Sequence, residues 1–412
     1  MGEHDDPQEL YIRLATSKLA GQSSFDRKHG VLTIVLCVSS AALLLCAVVY
    51  VYRKKKKMPH KKRREDAHTF NYEDDTSVQM ENLDELPFFS QHKIVKATNN
   101  FSSDYKIGEG GFGPVYKGVL EDGQVIAIKR LSETSEQGLD EFRNEVICIA
   151  KLQHRNLVKL LGYCIHGKEK ILIYEYMDNK SLDTYLFDET RSSMLDWRQR
   201  FGIIHGIARG ILYLHQDSCL QIIHRDLKAG NVLLDSEMNP KISDFGLARR
   251  FVGQDTMDKT KKVVGTYGYI SPEYAVHGRF STKSDVFSFG VLMLEIVSGK
   301  KNRGFSHEGQ SDNLLGHSWR LYIEDNSIEL VNASIRKLCV ISEVLRSIHV
   351  ALLCVQHHAE DRPTMLSVVL MLTSNGVLPP PKEPAFWSEE SYRQLGSVSS
   401  MDECMLTLLY AT

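Results

Sequence analysis

The run His224, Arg225, Asp226, Leu227, Lys228, followed by Asn231, sets acid, base and amide side chains at the spacing H-R-D-L-x-x-x-N. Polar residues fixed at this spacing are too specific for coincidence. Apolar Ile222 and Ile223 precede the run and Val232, Leu233 and Leu234 follow it. It therefore reads as a loop clamped between buried strands, a setting that can hold a carboxylate rigidly. Eighteen residues beyond Asp226 stand Asp244, Phe245 and Gly246. D-F-G alone is a common turn, but its order and separation from the first run make the two a single signature.

Upstream, Gly108, Gly110, Gly113 and Val115 fit G-x-G-x-x-G-x-V. Missing side chains let backbone N–H groups approach phosphate oxygens, although the three glycines alone describe a flexible hairpin equally well. A dinucleotide-binding turn would lead into a helix, whereas β-rich sequence follows here. The run Ile126, Ala127, Ile128, Lys129 puts a lysine on a strand sixteen residues after Gly113. Such a lysine is usually a solvated edge residue, so a functional reading needs an acid to hold the ammonium. Glu145, three residues after Phe142, is preferred on spacing, and Glu141, one turn earlier on the same face, competes.

The elements that must position these residues fall into two textures. Between Tyr105 and Tyr176, short β-rich runs at 125–129 and 171–176 surround one helix, in which Leu139, Phe142, Val146 and Ile149 recur at helical spacing. Beyond Leu182 the patterns are mainly helical. Trp197, Phe201, Ile204, Ala208 and Ile211 form a stripe behind the N-cap candidate Asp196, and a second helix is expected from about Asp285 until Gly299 stops it. This predicts an α+β fold with a small β-rich lobe, a larger helical lobe and a ligand-binding cleft between them. A short helical pattern opened by Ser90 runs through Ile94, Val95 and Ala97 to Asn99 and Asn100, which sets the domain start near Phe101.

Residues 31–52 carry no charge and are rich in Val, Leu, Ile and Ala, long enough to span about 30 Å of hydrocarbon as a transmembrane helix. Behind them come Arg53 to Lys57 and Lys61 to Arg64, against only Arg13, Lys18, Arg27 and Lys28 ahead, which orients the C-terminal part to the cytoplasm. The stretch is too long and starts too late for a cleaved signal peptide. Residues 1–30 then form a short extracellular segment, and 53–100 a linker that is first basic and then acidic. Each basic residue near anionic lipid contributes about 1 kcal/mol. The net charge of −2 over 412 residues gives no reason to expect nucleic-acid binding. Of the eight cysteines, two lie in the span and six follow it with no C-x-x-C pair, so neither a disulfide framework nor a zinc site is expected.

On its glycine loop, strand lysine, H-R-D-L-x-x-x-N and D-F-G motifs, the chain resembles the eukaryotic protein kinases over residues 101–378, leaving 379–412 as a polar tail. The resemblance implies ATP and Mg²⁺ as cofactors. Lys129, held by Glu145, would contact the α- and β-phosphates beneath the glycine loop. The nucleotide site would comprise Ile107, Gly108, Glu109, Gly110, Gly111, Phe112, Gly113, Pro114, Val115, Ala127, Lys129, Glu175 and Met177, with Tyr174 to Met177 as the hinge and Tyr174 as gatekeeper. Asn231 and Asp244 would hold the metal, and Asp226 would orient the substrate hydroxyl and accept its proton. Lys228 resembles the serine/threonine branch, in which a lysine here stabilises the γ-phosphate. Asp285 and Arg362 match framework positions, the latter expected to pair with Glu273.

Arg225, directly before Asp226, marks the kinase subgroup whose activation loop is ordered when a phosphate pairs with basic residues, and in the polar stretch between Asp244 and Glu273, Thr256 or Thr260 is the expected activating autophosphorylation site. Thr266 is expected to position substrate. The wording ATNNFS, GTYGYISPEY and DNLLGHSWRLY resembles plant receptor-like kinases, and QELYIRLATSKL resembles the end of the apple-like module of the S-domain (G-type lectin) subgroup; the cysteine-rich receptor-like kinases are the runner-up. Compared with that subgroup, the lectin ectodomain is missing, Phe287 replaces a Trp, and Gly230 stands where Ser is frequent. The reading is therefore a single-pass plasma-membrane kinase, N-terminus outside, acting on cytoplasmic protein substrates and itself, with receptor or coreceptor kinases as partners. The alternative is an inert pseudokinase scaffold, which the presence of Lys129, Asp226 and Asp244 argues against.

Overall fold

The computed structural model describes residues 86–385, apart from 111–112, 132–135, 251–257, 261, 303–312 and 338 and the side chains of 136–141, 333 and 334. The expected transmembrane helix, the segments flanking it, Gly111, Phe112, Thr256 and residues 386–412 lie outside the described residues. Among the described residues no helix is long and apolar enough to cross a membrane.

The small lobe opens with α1 (Gln91–Ala97), followed by β1 (Lys106–Gly110), β2 (Gly113–Val119), β3 (Val125–Arg130), α2 (Glu136–Ile149), β4 (Leu160–His166) and β5 (Glu169–Glu175). The strands form one antiparallel sheet in the order β1-β2-β3-β5-β4. Strand alternation sends Ile126, Ile128, Ile171 and Ile173 into a core shared with Ile94 of α1 and Tyr116. Folded structure thus begins ahead of Phe101, because Ile94 is fully buried against the sheet. The opposite face carries the row Val115, Lys129, Leu172 and Tyr163, each paired with the next across β2, β3, β5 and β4. At Gly113, where φ is +128°, an added Cβ would run into the Arg130 carbonyl, so only glycine closes the β1–β2 hairpin over β3.

The large lobe comprises α3 (Asp183–Leu186), α4 (Trp197–Leu212), β6 (Ile222–Ile223), β7 (Val232–Leu234), β8 (Pro240–Ile242), β9 (Arg249–Arg250), β10 (Asp258–Lys259), α5 (Pro272–His277), β11 (Arg279–Phe280), α6 (Thr282–Ser298), α7 (Leu314–Ile323), α8 (Ala333–Arg336), α9 (Ile341–Cys354) and α10 (Met365–Thr373). Asp196 caps α4 through a reciprocal pair with Gln199. The second helix of the sequence reading, α6, begins at Thr282 and not at Asp285, because Ser281 and Ser284 form the capping pair one turn earlier. It ends at Gly299, whose φ of +72° is the left-handed cap that glycine favours. From Ser284 to Ser298 every residue of α6 is buried, which makes this helix the axis of the lobe.

Candidate active site

β3 carries Lys129 into the cleft, where its Nζ donates to Glu145 Oε1 on α2 at 2.6 Å and to Asp244 Oδ1 at 2.8 Å. Glu145 is fully buried and Lys129 nearly so. Burial alone would lower the lysine's pKa, but the two facing carboxylates raise it and keep the ammonium charged. Burial pushes the Glu145 carboxyl up against the pull of Lys129. For Asp244 burial also acts upward, yet Lys129 prevails and holds it below the usual carboxylate range. Of the two acids weighed from spacing, Glu145 is the one that meets Lys129, and the Glu141 side chain is outside the described residues. Tyr174 on β5 donates its hydroxyl to the other oxygen of Glu145, Oε2, a contact with no sequence signal because it depends on which strand lies beside α2.

The loop between β6 and β7 holds the second group. Asp226 Oδ2 accepts from Asn231 Nδ2 at 3.0 Å and faces Lys228 Nζ at 3.1 Å. Its Oδ1 accepts the Thr266 hydroxyl at 2.6 Å, and Lys228 donates to the same hydroxyl oxygen at 2.8 Å. Beneath the loop, Asp285 of α6 accepts the backbone N–H groups of His224 and Arg225 at 2.8 and 2.9 Å and bonds His215 Nε2 at 2.9 Å. Burial would raise the Asp285 pKa, but His215 and these donors lower it, so it stays a carboxylate. Arg225 and Asp244 adopt φ of +69° and +65°. Non-glycine residues pay for that backbone, and here Asp285 holds the first while Lys129 meets the second. Ser243, next to Asp244, donates its N–H and hydroxyl to the Asn231 carbonyl at 2.9 and 3.0 Å, which ties the two groups into one cleft.

The remaining expected residues are distributed around them. Ile107, Gly108, Glu109 and Gly110 are exposed on β1, while Pro114, Val115 and Ala127 are half-buried on β2 and β3. Met177 is buried, and Glu175 turns its Oε1 to Lys159 N–H at 2.7 Å and Lys241 Nζ at 3.0 Å. Arg362 clasps Glu273 with two bonds of 3.0 and 2.8 Å and holds its carboxyl low against the opposing effect of burial. The Arg225 guanidinium is buried, donates to the Tyr274 hydroxyl and the Leu247 carbonyl, and lies 4.6 Å from the Phe280 ring centroid. Its bond to Tyr274, 49 positions away, carries no local sequence signal. Thr260 donates its N–H to the Gly278 carbonyl at 2.9 Å.

Asp244 and Asn231 offer hard oxygen donors, the chemistry that suits Mg²⁺ held jointly with phosphates rather than in an all-protein cage. No group of three or more His, Cys, Asp or Glu that could hold a metal ion occurs among the described residues.

A family model described as protein tyrosine and serine/threonine kinase matches residues 101–372, well over half of the chain. The chain is 60% identical over 336 residues to the G-type lectin S-receptor-like serine/threonine-protein kinase SD1-1 of Arabidopsis thaliana, covering 81% of this chain and 41% of that protein. It is 50% identical over 377 residues to SD1-29 of the same group and organism, covering 92% of this chain and 45% of that protein. It is 54% identical over 329 residues to the Arabidopsis cysteine-rich receptor-like protein kinase 8, covering 77% and 49%. The chain thus spans less than half the length of these relatives. With its two-lobed architecture, one cleft holding both motif groups and a family match over residues 101–372, the chain belongs to the protein tyrosine and serine/threonine kinase family.

Proposed function

We propose that the chain is a membrane-anchored receptor-like kinase that transfers the γ-phosphate of ATP to serine and threonine hydroxyls of cytoplasmic proteins and of itself. The observation that carries this reading is the Thr266 hydroxyl, which rests on Asp226 Oδ1 at 2.6 Å with Lys228 Nζ on the same oxygen. A substrate hydroxyl in that place would be oriented by Asp226 and lose its proton to Oδ1 as its oxygen bonds the γ-phosphorus and the bond from that phosphorus to the bridging oxygen of ADP breaks, with Lys228 beside the phosphoryl group. Lys129, fixed by Glu145, would supply positive charge for the α- and β-phosphates, and the backbone N–H groups of the glycine loop would contact phosphate oxygens. Mg²⁺, held by Asn231 and Asp244, would neutralise charge on the phosphate oxygens. The names of the relatives, all receptor-like kinases and most of the G-type lectin group, support the serine/threonine class.

Anchoring rests on the uncharged residues 31–52 and the basic block behind them. On that pattern the kinase domain, 101–378, would lie on the cytoplasmic side of the plasma membrane, where receptor or coreceptor kinases would be partners. The test is to supply the full-length chain in detergent with Mg-ATP and a generic protein substrate and to identify the phosphorylated residues by mass spectrometry. Phosphoserine and phosphothreonine are expected. Phosphotyrosine alone, or no phosphate at all, would overturn the reading.

A further inference from the structure

The segment ahead of the kinase domain is fastened to a sheet edge that would otherwise stand open. β4 ends the sheet order, and residues 87–89 pair with it in parallel. Tyr163 N–H donates to the Pro87 carbonyl at 3.1 Å, and Phe89 N–H donates to the Tyr163 carbonyl at 2.8 Å. Gly162 makes room for this strap, since a Cβ there would run into the Pro87 carbonyl and lie 2.5 Å from the Phe89 ring. Leu86 packs on the core cluster that contains Phe142 and Val146 of α2, and Phe89 packs on the small-lobe core.

Tyr163 links this strap to the chemistry by two routes. Along the sheet it belongs to the row that runs through Leu172 to Lys129. Across the lobe its ring stands edge-on to Phe142 of α2 at 6.4 Å between centroids, and Phe88 of the strap stands edge-on to it at 5.7 Å. Phe142 precedes Glu145 by three residues and so shares its helix face. One tyrosine, paired to the strap by its backbone, therefore touches both the row that bears Lys129 and the helix that bears Glu145.

We propose that residues 86–89 form a positioning strap for the Lys129–Glu145 pair. Seated on β4, the strap keeps Tyr163 against Phe142 and α2 turned so that Glu145 reaches Lys129. Lifted off, it frees α2 to rotate and Glu145 to withdraw. The strap lies within residues 53–100, read as the linker from the membrane, so a pull or a bound partner on that linker would reach the nucleotide site through Tyr163. The proposal rests on the kinase reading for the role of the pair, and its test separates the two.

In the full-length chain, Gly162→Ala displaces the strap, and Phe88→Ala removes a ring that is 59% exposed, so that little core packing is lost. Both are expected to raise the ATP KM about fivefold or more with a smaller change in kcat, and to speed amide exchange over residues 142–149. Adding Phe142→Leu to Gly162→Ala is expected to raise KM no further, because both break one line of contacts. Wild-type KM and wild-type exchange in Phe88→Ala and in folded Gly162→Ala overturn the proposal; should Gly162→Ala fail to fold, Phe88→Ala decides alone. A wild-type chain that transfers no phosphate overturns the kinase reading instead, and the exchange measurement still decides the strap.

Discussion

Lys129 keeps its charge in a buried position because Glu145 and Asp244 meet it from two directions. Removing one member of such a group leaves like charges facing each other out of water, a change that costs about 3–5 kcal/mol. Lys129→Met is therefore expected to lower unfolding free energy by that amount in denaturant titrations, besides abolishing phosphate transfer. Glu295 of α6 is a different kind of buried acid. It accepts the Tyr269 hydroxyl at 2.6 Å and the Asn302 N–H at 2.9 Å, and burial lifts its pKa from 4.5 to about 7. The folded state then binds this proton more tightly than the unfolded state, so stability from this group is greatest below pH 4.5 and is lost as pH rises toward 7. Between pH 5 and 7.5 the wild type is expected to lose about 2 kcal/mol relative to Glu295→Gln. Parallel melting curves for the two proteins would contradict this.

At the scale of elements, α6 shows how packing reads differently from sequence. Gly290 sits where α6 crosses α9, and a Cβ there would come within 2.6 Å of Cys354 Cβ and 2.8 Å of Val355. Gly290→Ala is expected to cost about 1–3 kcal/mol by overpacking, read as a lower Tm with an unchanged ATP KM. The stripe of α4 and its cap at Asp196 were legible because a capping residue and a 3.6-residue period are local signals. The start of α6 was not, since Ser281 resembles any loop serine until Ser284 is seen to return its bond. The loop at 224–231 and D-F-G were legible directly, because the chemistry their residue types suit demands fixed spacing. Tyr174 on Glu145, Tyr274 on Arg225 and the strap on β4 join residues 29, 49 and 74 or more positions apart, and no local pattern encodes such contacts.

Over the whole molecule, the fold brings groups from 129 to 266 in the chain to one cleft and sets the strap on the opposite edge of the sheet's row from β2. The sequence ahead of the strap supplies the remaining expectation, that residues 31–52 anchor the chain. Deleting them should move the protein from the membrane fraction to the soluble fraction on centrifugation with ATP KM retained, and continued sedimentation with membranes would refute the anchor. The central claim is that Asp226 acts on the substrate hydroxyl at a nucleotide bound by Lys129 and its partners. Single-turnover transfer from prebound, γ-labelled Mg-ATP to a protein substrate tests it most directly, comparing wild type with Asp226→Asn. Equal nucleotide affinity and a transfer rate about 10²- to 10⁴-fold slower in the variant are expected. Transfer at the wild-type rate by Asp226→Asn would contradict it.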